Sequence, residues 1–256
     1  MAKVFLCVRG AVSPLLANIY LHDLDRYMES THLRFSRHQR ERRRKEGKGS
    51  VLYVRYADDF VVLCNETKAE ALAIKEELRG LLSTMGLTLS EEKTKVTHIT
   101  EGFRFLGYQI IRQVGTKGKM APKVLIPESA IKKCSHRVRE IIAPSTTSES
   151  VSAKIIALNQ LTRGWCHYYQ CTSSPSWAFR KLNKELYWGM AHWLGKKYKI
   201  SIPKVLRKFW RNNTFKTKAN TLVLSNEYKA KRLLIRTWHN PYTAKEEIHH
   251  HTLFFF

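Results

Sequence analysis

A long apolar run that is broken once, by acidic residues, constrains this chain most. Residues 51–64 read Val-Leu-Tyr-Val-Arg-Tyr-Ala-Asp-Asp-Phe-Val-Val-Leu-Cys, with strand-forming side chains on both sides of Ala57-Asp58-Asp59. A short polar break between two such runs predicts a β-hairpin with both carboxylates at its turn. Crowded carboxylates repel each other and are best tolerated beside a cation, and Mg²⁺ prefers carboxylate oxygens. The pair is therefore either a metal site or a solvated hairpin tip.

Other segments place this hairpin in a recognisable order. The segment Gly10-Ala-Val-Ser-Pro14 comes first, Leu87–Thr94 ends in Glu-Lys-Thr, and Gly102-Phe-Arg-Phe-Leu-Gly-Tyr108 follows. Together with Tyr56-Ala-Asp-Asp59, this series resembles reverse transcriptases. Gly164-Trp-Cys-His-Tyr-Tyr169 and the tryptophan-rich segment after it resemble the thumb, or maturase domain, of group II intron-encoded proteins. The resemblance covers about residues 10–198.

The resemblance implies an α+β fold, in which a partial reverse transcriptase palm (an antiparallel sheet with packed helices) precedes an α-helical thumb/maturase domain. We expect the C-terminal half of the palm in residues 1–125, the helical domain in 126–200 and a basic C-terminal extension in 201–256. The residue pattern agrees, since helix and hairpin signals alternate before a turn-rich stretch and helical signals dominate after it.

Apolar periodicity predicts where the elements lie. The helices are expected over residues 14–30, 66–86, 128–142, 151–171 and 177–199, and short strands near 95–99 and over 103–111. Residues 36–49 contain no apolar side chain and are expected to form a mobile basic loop. Residues 249–256 fit no element and are expected to be unstructured.

The resemblance also implies a catalytic role for the hairpin. Two Mg²⁺ ions would support nucleotidyl transfer, with Asp58 and Asp59 as catalytic metal ligands. Lys93 would either donate a proton to the departing pyrophosphate or contact phosphate or solvent, and both roles stay open. The family takes a further metal aspartate from an earlier strand, and neither that strand nor the nucleotide-binding fingers has a match here. The residues expected at the primer and template are Gly10, Ser13, Pro14, Tyr56, Phe105, Leu106 and Gly107.

The charge of the chain indicates a polyanionic partner. Lys and Arg total 45 against 21 acidic residues, a formal charge of +24, and residues 128–256 carry 23 of the basic and 7 of the acidic side chains. Nucleic acid neutralises such a surplus through phosphate contacts. We expect group II intron RNA or another structured RNA as the partner, with a DNA primer or target and a separate N-terminal reverse transcriptase chain as further partners. The residues expected to contact RNA are Arg42, Arg43, Arg44, Arg163, Tyr168, Lys181, Lys184, Lys196 and Lys197.

Several protein classes are disfavoured. No apolar run reaches the roughly 18 residues that span a bilayer, so no membrane partner is expected. Five cysteines without a Cys-x-x-Cys pair argue against a disulfide framework or a zinc ribbon and favour a reducing cytoplasm. The paired cysteines of the HNH nuclease that often ends this family are missing, so DNA cleavage is not expected.

The leading interpretation is a group II intron reverse transcriptase/maturase. The intact protein would copy RNA into DNA and help its intron to fold and splice, and this truncated form would lack polymerase activity alone. Two alternatives stay open: a non-enzymatic RNA-binding protein, and the C-terminal half of a split reverse transcriptase.

Overall fold

The computed structural model describes residues 13–46, 49–65, 67–115, 118–228, 230 and 254–255. The chain divides into two compact units. The first comprises residues 1–106, 110–122 and 236–256, and the second comprises residues 107–109 and 123–235. Helices and strands alternate in the first unit and helices dominate the second, so the predicted α+β class is confirmed.

The first unit begins with two short helices. α1 (Ser13–Tyr20) and α2 (His22–Met28) lead into a π-helical turn at Glu29–Leu33, and together they occupy the segment predicted as one helix. Leu24 and Met28 are fully buried. These two side chains anchor α2 on the first unit's core.

The basic segment after α2 is a helix, and the predicted mobile loop is wrong. α3 spans Arg37–Lys45. The Ser36 amide donates to Gln39 Oε1 (2.8 Å) and the Gln39 amide donates to Ser36 Oγ (3.3 Å), which is a reciprocal N-terminal cap. Arg, Lys, Glu and Gln are good helix formers, and Arg42 pairs with Glu46 one turn later at 2.8 Å. A lack of apolar residues therefore does not exclude a helix here.

The predicted hairpin follows and packs on a long helix. β1 (Val51–Tyr56) pairs with β2 (Asp59–Cys64), and α4 spans Lys68–Thr84. Thr67 and Glu70 form a capping box that fixes the start of α4. The core between these elements and α2 contains Leu21, Leu24, Met28, Val62, Cys64, Ala71, Ile74, Leu78 and Leu82.

The remaining strands only partly follow the prediction. They are β3 (Thr97–His98), β4 (Phe103–Phe105), β5 (Tyr108–Val114) and β6 (Met120–Leu125), and β4, β5 and β6 form a sheet in that order. The strand predicted over 103–111 is wrong as a single strand, because Leu106 (φ 46°) and Gly107 (φ 72°) lie between β4 and β5 in the left-handed region and break the extended run. The sequence does not predict β6.

The end of the chain contributes one short strand. β9 (Phe254–Phe255) lies between β2 and β3 in the second sheet, whose order is β1-β2-β9-β3. The expectation that residues 249–256 fit no element is wrong for these two phenylalanines, since aromatic residues favour extended pairing. The rest of that segment lies outside the described residues.

The second unit is a helical bundle with a small hairpin. Its helices are α5 (Glu128–Ile141), α6 (Val151–Tyr169), α7 (Ser176–Tyr198) and α8 (Ile202–Phe209), and β7 (Trp210–Arg211) pairs with β8 (Thr214–Phe215). The helices α5, α6 and α7 agree with the predictions to within two residues at each end. The core includes Leu158, Leu182, Leu186, Met190 and Leu194.

Residues beyond 200, which the sequence assigns to a basic extension, also enter this core. Val205, Phe215 and Leu222 are buried within it. The domain limits at residues 125 and 200 stay predictions. None of the described helices is long and apolar enough to cross a bilayer.

Candidate nucleic-acid site

The strand register places the two aspartates at the tip of the β1–β2 hairpin. Tyr56 faces Asp59 across the pair, so Ala57 and Asp58 form a two-residue turn. Ala57 adopts φ 56°, a left-handed conformation that is unfavourable for a residue with a Cβ atom. Asp58 and Asp59 are both exposed. Alternation along the strands puts Tyr56 and Asp59 on one face of the hairpin.

A half-buried arginine, Arg55, holds this turn from the other face. Arg55 donates from Nη1 to the Ala57 carbonyl (2.6 Å) and to Asn18 Oδ1 (2.8 Å), and from Nε to Asp25 Oδ1 (2.8 Å). Tyr53 Oη donates to the same carboxylate oxygen at 3.0 Å. The guanidinium thus ties α1 and α2 to the backbone of the turn that carries Asp58.

This network also sets the charge state of Asp25. Burial acts to raise the pKa of Asp25, but hydrogen bonds from Arg55 and Tyr53 outweigh it and hold that pKa below its ordinary value. Burial, followed by the charge of Asp25, raises the pKa of Tyr53. Asp25 is therefore a carboxylate engaged with Arg55, and this interaction occupies it.

The hairpin meets only part of what a two-metal site needs. Carboxylate oxygens suit Mg²⁺, and Asp58 and Asp59 lie side by side. Within the described ranges, however, no group of three or more His, Cys, Asp or Glu side chains is placed to hold a metal ion. Lys93 is exposed in the turn after α4, and no contact seen among the described residues joins it to either aspartate. In the part of the chain that the structure describes, the donor set at the hairpin is incomplete.

The turn between β4 and β5 is clasped by two tyrosines of α6. Tyr169 Oη donates to the Gly107 carbonyl (3.2 Å), and Tyr108 Oη donates to the Tyr168 carbonyl (2.6 Å). The rings of Tyr108 and Tyr168 stack with centroids 5.1 Å apart and planes 13° apart. Burial, followed by the proximity of Tyr168, raises the pKa of Tyr108 to about 12, so its hydroxyl stays a donor at neutral pH.

Gly107 fits this clasp because it lacks a side chain. A Cβ atom there would lie 3.3 Å from Tyr168 Oη and 3.7 Å from Tyr169 Oη. With its φ of 72°, the position is restricted in conformation and in space. Phe105 and Leu106 directly precede Gly107, so three of the residues predicted to contact the primer are consecutive at this turn.

Tyr168 and Tyr169 face different directions, because adjacent side chains of an α-helix do not lie on the same face. Tyr168 is 47% exposed and Tyr169 only 7%. Trp165 is partly buried and packs against the core of the second unit. An RNA contact by Tyr168 stays a prediction.

The predicted RNA-contacting basic residues differ in how free their charges are. Arg42 is paired with Glu46, and the guanidinium of Arg43 lies 4.4 Å from the Phe35 ring centroid. Lys197 Nζ donates to the carbonyls of Thr147 (2.7 Å) and Glu149 (2.8 Å), which gives it a structural task. Exposed positions on α6 and α7 are held by Arg163, Lys184 and Lys196, while Lys181 is half-buried.

Some predicted residues have no described side chain. Gly10 lies outside the described residues. The structure describes only the backbones of Ser13 and Pro14, which begin α1, and of Arg44, which lies within α3. Their roles stay predictions.

Comparison with known families gives the decisive observation. Residues 10–110 match the reverse transcriptase (RNA-dependent DNA polymerase) family, and residues 131–210 match the group II intron maturase-specific domain. Both matches occur on one chain, in that order. The chain therefore matches a group II intron reverse transcriptase/maturase. Reverse transcriptases generally use divalent metal ions, which agrees with carboxylates at the hairpin tip.

Individual relatives agree with these two matches. The group II intron-encoded protein LtrA of Lactococcus lactis subsp. cremoris is 29% identical over an alignment that covers 78% of this chain and 45% of LtrA. Protein YkfC of Escherichia coli K12 is 37% identical over 46% of this chain and 35% of its own length. Nuclear intron maturase 1, mitochondrial, of Arabidopsis thaliana is 23% identical over 52% of this chain and 24% of its own. The chain spans less than half the length of each of these three relatives.

Sequence reasoning missed two kinds of functional residue at this site. Arg55 and Asp25 are 30 positions apart, and no periodicity signals their pairing. Tyr108 lies within a recognised motif, yet its partner on α6 is 60 positions away. The sequence contains one signal for this interaction, since Arg55 lies just before the turn with the paired aspartates and can support that turn.

Proposed function

We propose that this chain is a palm-and-maturase part of a group II intron reverse transcriptase and that it binds intron RNA. The observation that carries the proposal is the order of the two family matches on one chain, residues 10–110 and then 131–210. The formal charge of +24 supports a polyanionic partner. A DNA primer or target would be contacted near the Gly107 turn.

Binding of a group II intron RNA tests this proposal. We expect affinity to fall steeply with salt, with a log–log slope of about 0.7–0.9 for each phosphate neutralised. A nearly flat salt dependence would contradict the assignment.

Two matched pairs of substitutions separate the contributions of the two units. Arg163→Gln with Lys196→Gln removes two exposed charges from α6 and α7, and Arg42→Gln with Arg43→Gln removes two charges from α3. We expect the first pair to weaken intron RNA binding more, because the two charges on α3 are engaged by Glu46 and by Phe35. Equal or reversed losses in a filter-binding assay would count against RNA binding through the maturase region.

We further propose that Asp58 and Asp59 would hold divalent ions only together with a carboxylate from elsewhere. Poor positioning of reacting groups alone can cost about 7–11 kcal/mol of barrier. The purified chain is therefore expected to give no detectable primer extension on an RNA template with Mg²⁺. Asp58→Ala is the control, and extension by the wild type that this variant lacks would show the reasoning to be wrong.

A specific observation favours completion of the palm by a second polypeptide. Ile19 on α1 is 65% exposed, and Val54 and Tyr56 lie exposed on one face of β1, which is an edge strand among the described residues. An apolar face beside an open strand edge suits another palm segment. Addition of an N-terminal reverse transcriptase fragment should then produce extension that depends on Asp58.

A further inference from the structure

One side of α7 presents two exposed tryptophans within a row of basic residues. Trp177, Lys181, Lys184, Trp188 and His192 are separated by three or four positions, so they follow one face of the helix. Trp177 is 57% exposed and Trp188 is 45% exposed. Tryptophan is highly buried on average, so two exposed indoles on one stripe indicate a surface that binds something.

The neighbouring groups fix these rings and give them a positive surrounding. Lys181 Nζ lies 5.6 Å from the centroid of the Trp177 ring. The His192 ring stacks on Trp188, with centroids 5.9 Å apart and planes 29° apart. Trp177 is therefore supported by a cationic group and Trp188 by an aromatic ring.

A cleft of about 470 Å³ opens beside the stripe, between α5 and α7. Val138 and Ile142 supply apolar lining, and Lys181, Lys184 and Trp188 belong to both the cleft and the stripe. At Gly189, a Cβ atom would lie 2.1 Å from Ile142 Cδ1, so the Ile142 side chain packs against the space that the glycine leaves. The cleft thus combines an aromatic and apolar surface with two ammonium groups.

The acidic residue in this cleft is already neutralised. Glu185 accepts from Arg139 at 3.2 Å. Among the residues described, no ion pair joins Lys181 or Lys184 to an acidic side chain. Their charges are available to a phosphate.

We infer that this stripe binds an unpaired segment of RNA, with bases stacked on Trp177 and Trp188 and phosphates on Lys181 and Lys184. The inference rests on the proposed RNA binding and names the kind of RNA that this surface takes. Bases in a duplex are already stacked on each other, whereas unpaired bases can stack on aromatic side chains. An apolar protein partner would leave the two lysines without a counter-charge, so the charge of the stripe favours RNA.

The spacing of the tryptophans predicts the length of the site. Eleven residues separate them, which corresponds to about 16 Å along the helix axis. At about 3.4 Å per stacked nucleotide, this distance corresponds to about five nucleotides. An eight-nucleotide strand should therefore reach both rings, and a three-nucleotide strand should reach only one.

The experiment uses the full chain with Trp177→Ala, Trp188→Ala and both together. The probes are an eight-nucleotide and a three-nucleotide oligouridine, a short RNA duplex and a folded group II intron RNA. Ile156→Ala is the matched control, because it removes an exposed apolar side chain on α6 without touching the stripe. Circular dichroism checks that each variant is folded.

We expect each tryptophan substitution to weaken binding of the eight-nucleotide strand by about 5- to 160-fold, the range that 1–3 kcal/mol of base stacking gives. Duplex affinity and the Ile156→Ala variant should stay within about twofold of the wild type. Tryptophan fluorescence should be quenched by the single strand in the wild type, and much less in the double variant.

The outcomes separate this inference from the proposed function. If the wild type binds none of the RNAs, the proposed function fails. If it binds intron RNA and the double variant binds the eight-nucleotide strand equally well, the stripe inference alone is overturned. Loss of self-association in the double variant, with unchanged RNA affinity, would also overturn it and would identify a second copy of the chain as the occupant.

Discussion

Removing the Arg55 side chain should destabilise the turn of the β1–β2 hairpin. Arg55→Ala deletes the hydrogen bonds to Asn18 (2.8 Å), the Ala57 carbonyl (2.6 Å) and Asp25 (2.8 Å). The Arg55 side chain is 10% exposed and that of Asp25 is 33% exposed. The substitution therefore leaves a partly buried carboxylate with Tyr53 as its remaining described hydrogen-bond donor.

The magnitude follows from these contacts. Hydrogen bonds to charged groups contribute about 1.5–3 kcal/mol each, and breaking a buried pair costs about 3–5 kcal/mol. Because Asp25 is one-third exposed, water replaces part of the loss, and we expect about 2–4 kcal/mol in the unfolding free energy of the first unit. Arg104→Ala, which removes an exposed arginine on β4, is the matched control and should cost less than about 0.5 kcal/mol.

The effect should depend on pH in a defined direction. Since the pKa of Asp25 in the folded protein lies below its ordinary value, its contribution is fully present above about pH 4, the unfolded value. That contribution is lost as the pH falls through the folded-state pKa. Arg55→Ala should therefore cost more at pH 7 than at pH 3.

Urea unfolding, together with hydrogen exchange of the amides in residues 51–64, measures both effects. Hydrogen exchange reports the hairpin itself, even when the two units unfold separately. Asp25→Asn and the double variant complete a thermodynamic cycle, and the coupling energy should exceed about 1 kcal/mol. A coupling near zero, or equal losses for Arg55→Ala and Arg104→Ala, would refute the argument.

Two further predictions use matched pairs of glycines. Gly107→Ala should lower the unfolding free energy by about 1–3 kcal/mol, because φ is 72° and the new Cβ would lie 3.3 Å from Tyr168 Oη. Gly80→Ala, in open space within α4, is the control and should raise the unfolding free energy by about 0.5–1 kcal/mol. Thermal melts that rank the two variants in reverse would contradict the packing of Tyr168 and Tyr169 around Gly107. Gly189→Ala should lower the unfolding free energy of the second unit by about 1–3 kcal/mol, because the new Cβ displaces Ile142. Gly164→Ala, in open space on α6, should raise that free energy by about 0.5–1 kcal/mol. Urea unfolding of the second unit measures both changes, and equal shifts for the two variants would rule out close packing at Gly189.

Local patterns in the sequence predicted much of this fold. The hairpin at residues 51–64, the helix α4 with Gly86 after its end, and the helices α5, α6 and α7 follow from periodicity and end signals that act over a few residues. The α3 helix was missed because its residues carry no apolar stripe, although Ser36 and Gln39 held the signal of a cap. The strand β6 was missed because turn residues at 115–118 hid a short extended segment.

The sequence alone determined the resemblance to group II intron reverse transcriptases, the paired aspartates at a hairpin tip and the strongly basic second half, because each depends on motifs or charges that are read along the chain. The tertiary structure decided which of two adjacent tyrosines supports the Gly107 turn, that Arg55 joins Asp25 to that tip, and that Trp177 and Trp188 are exposed on α7. Those facts depend on contacts between residues 30 to 62 positions apart and on which helix face the core covers. Tryptophan in a helical pattern usually indicates core, and only packing shows that these two indoles lie outside it.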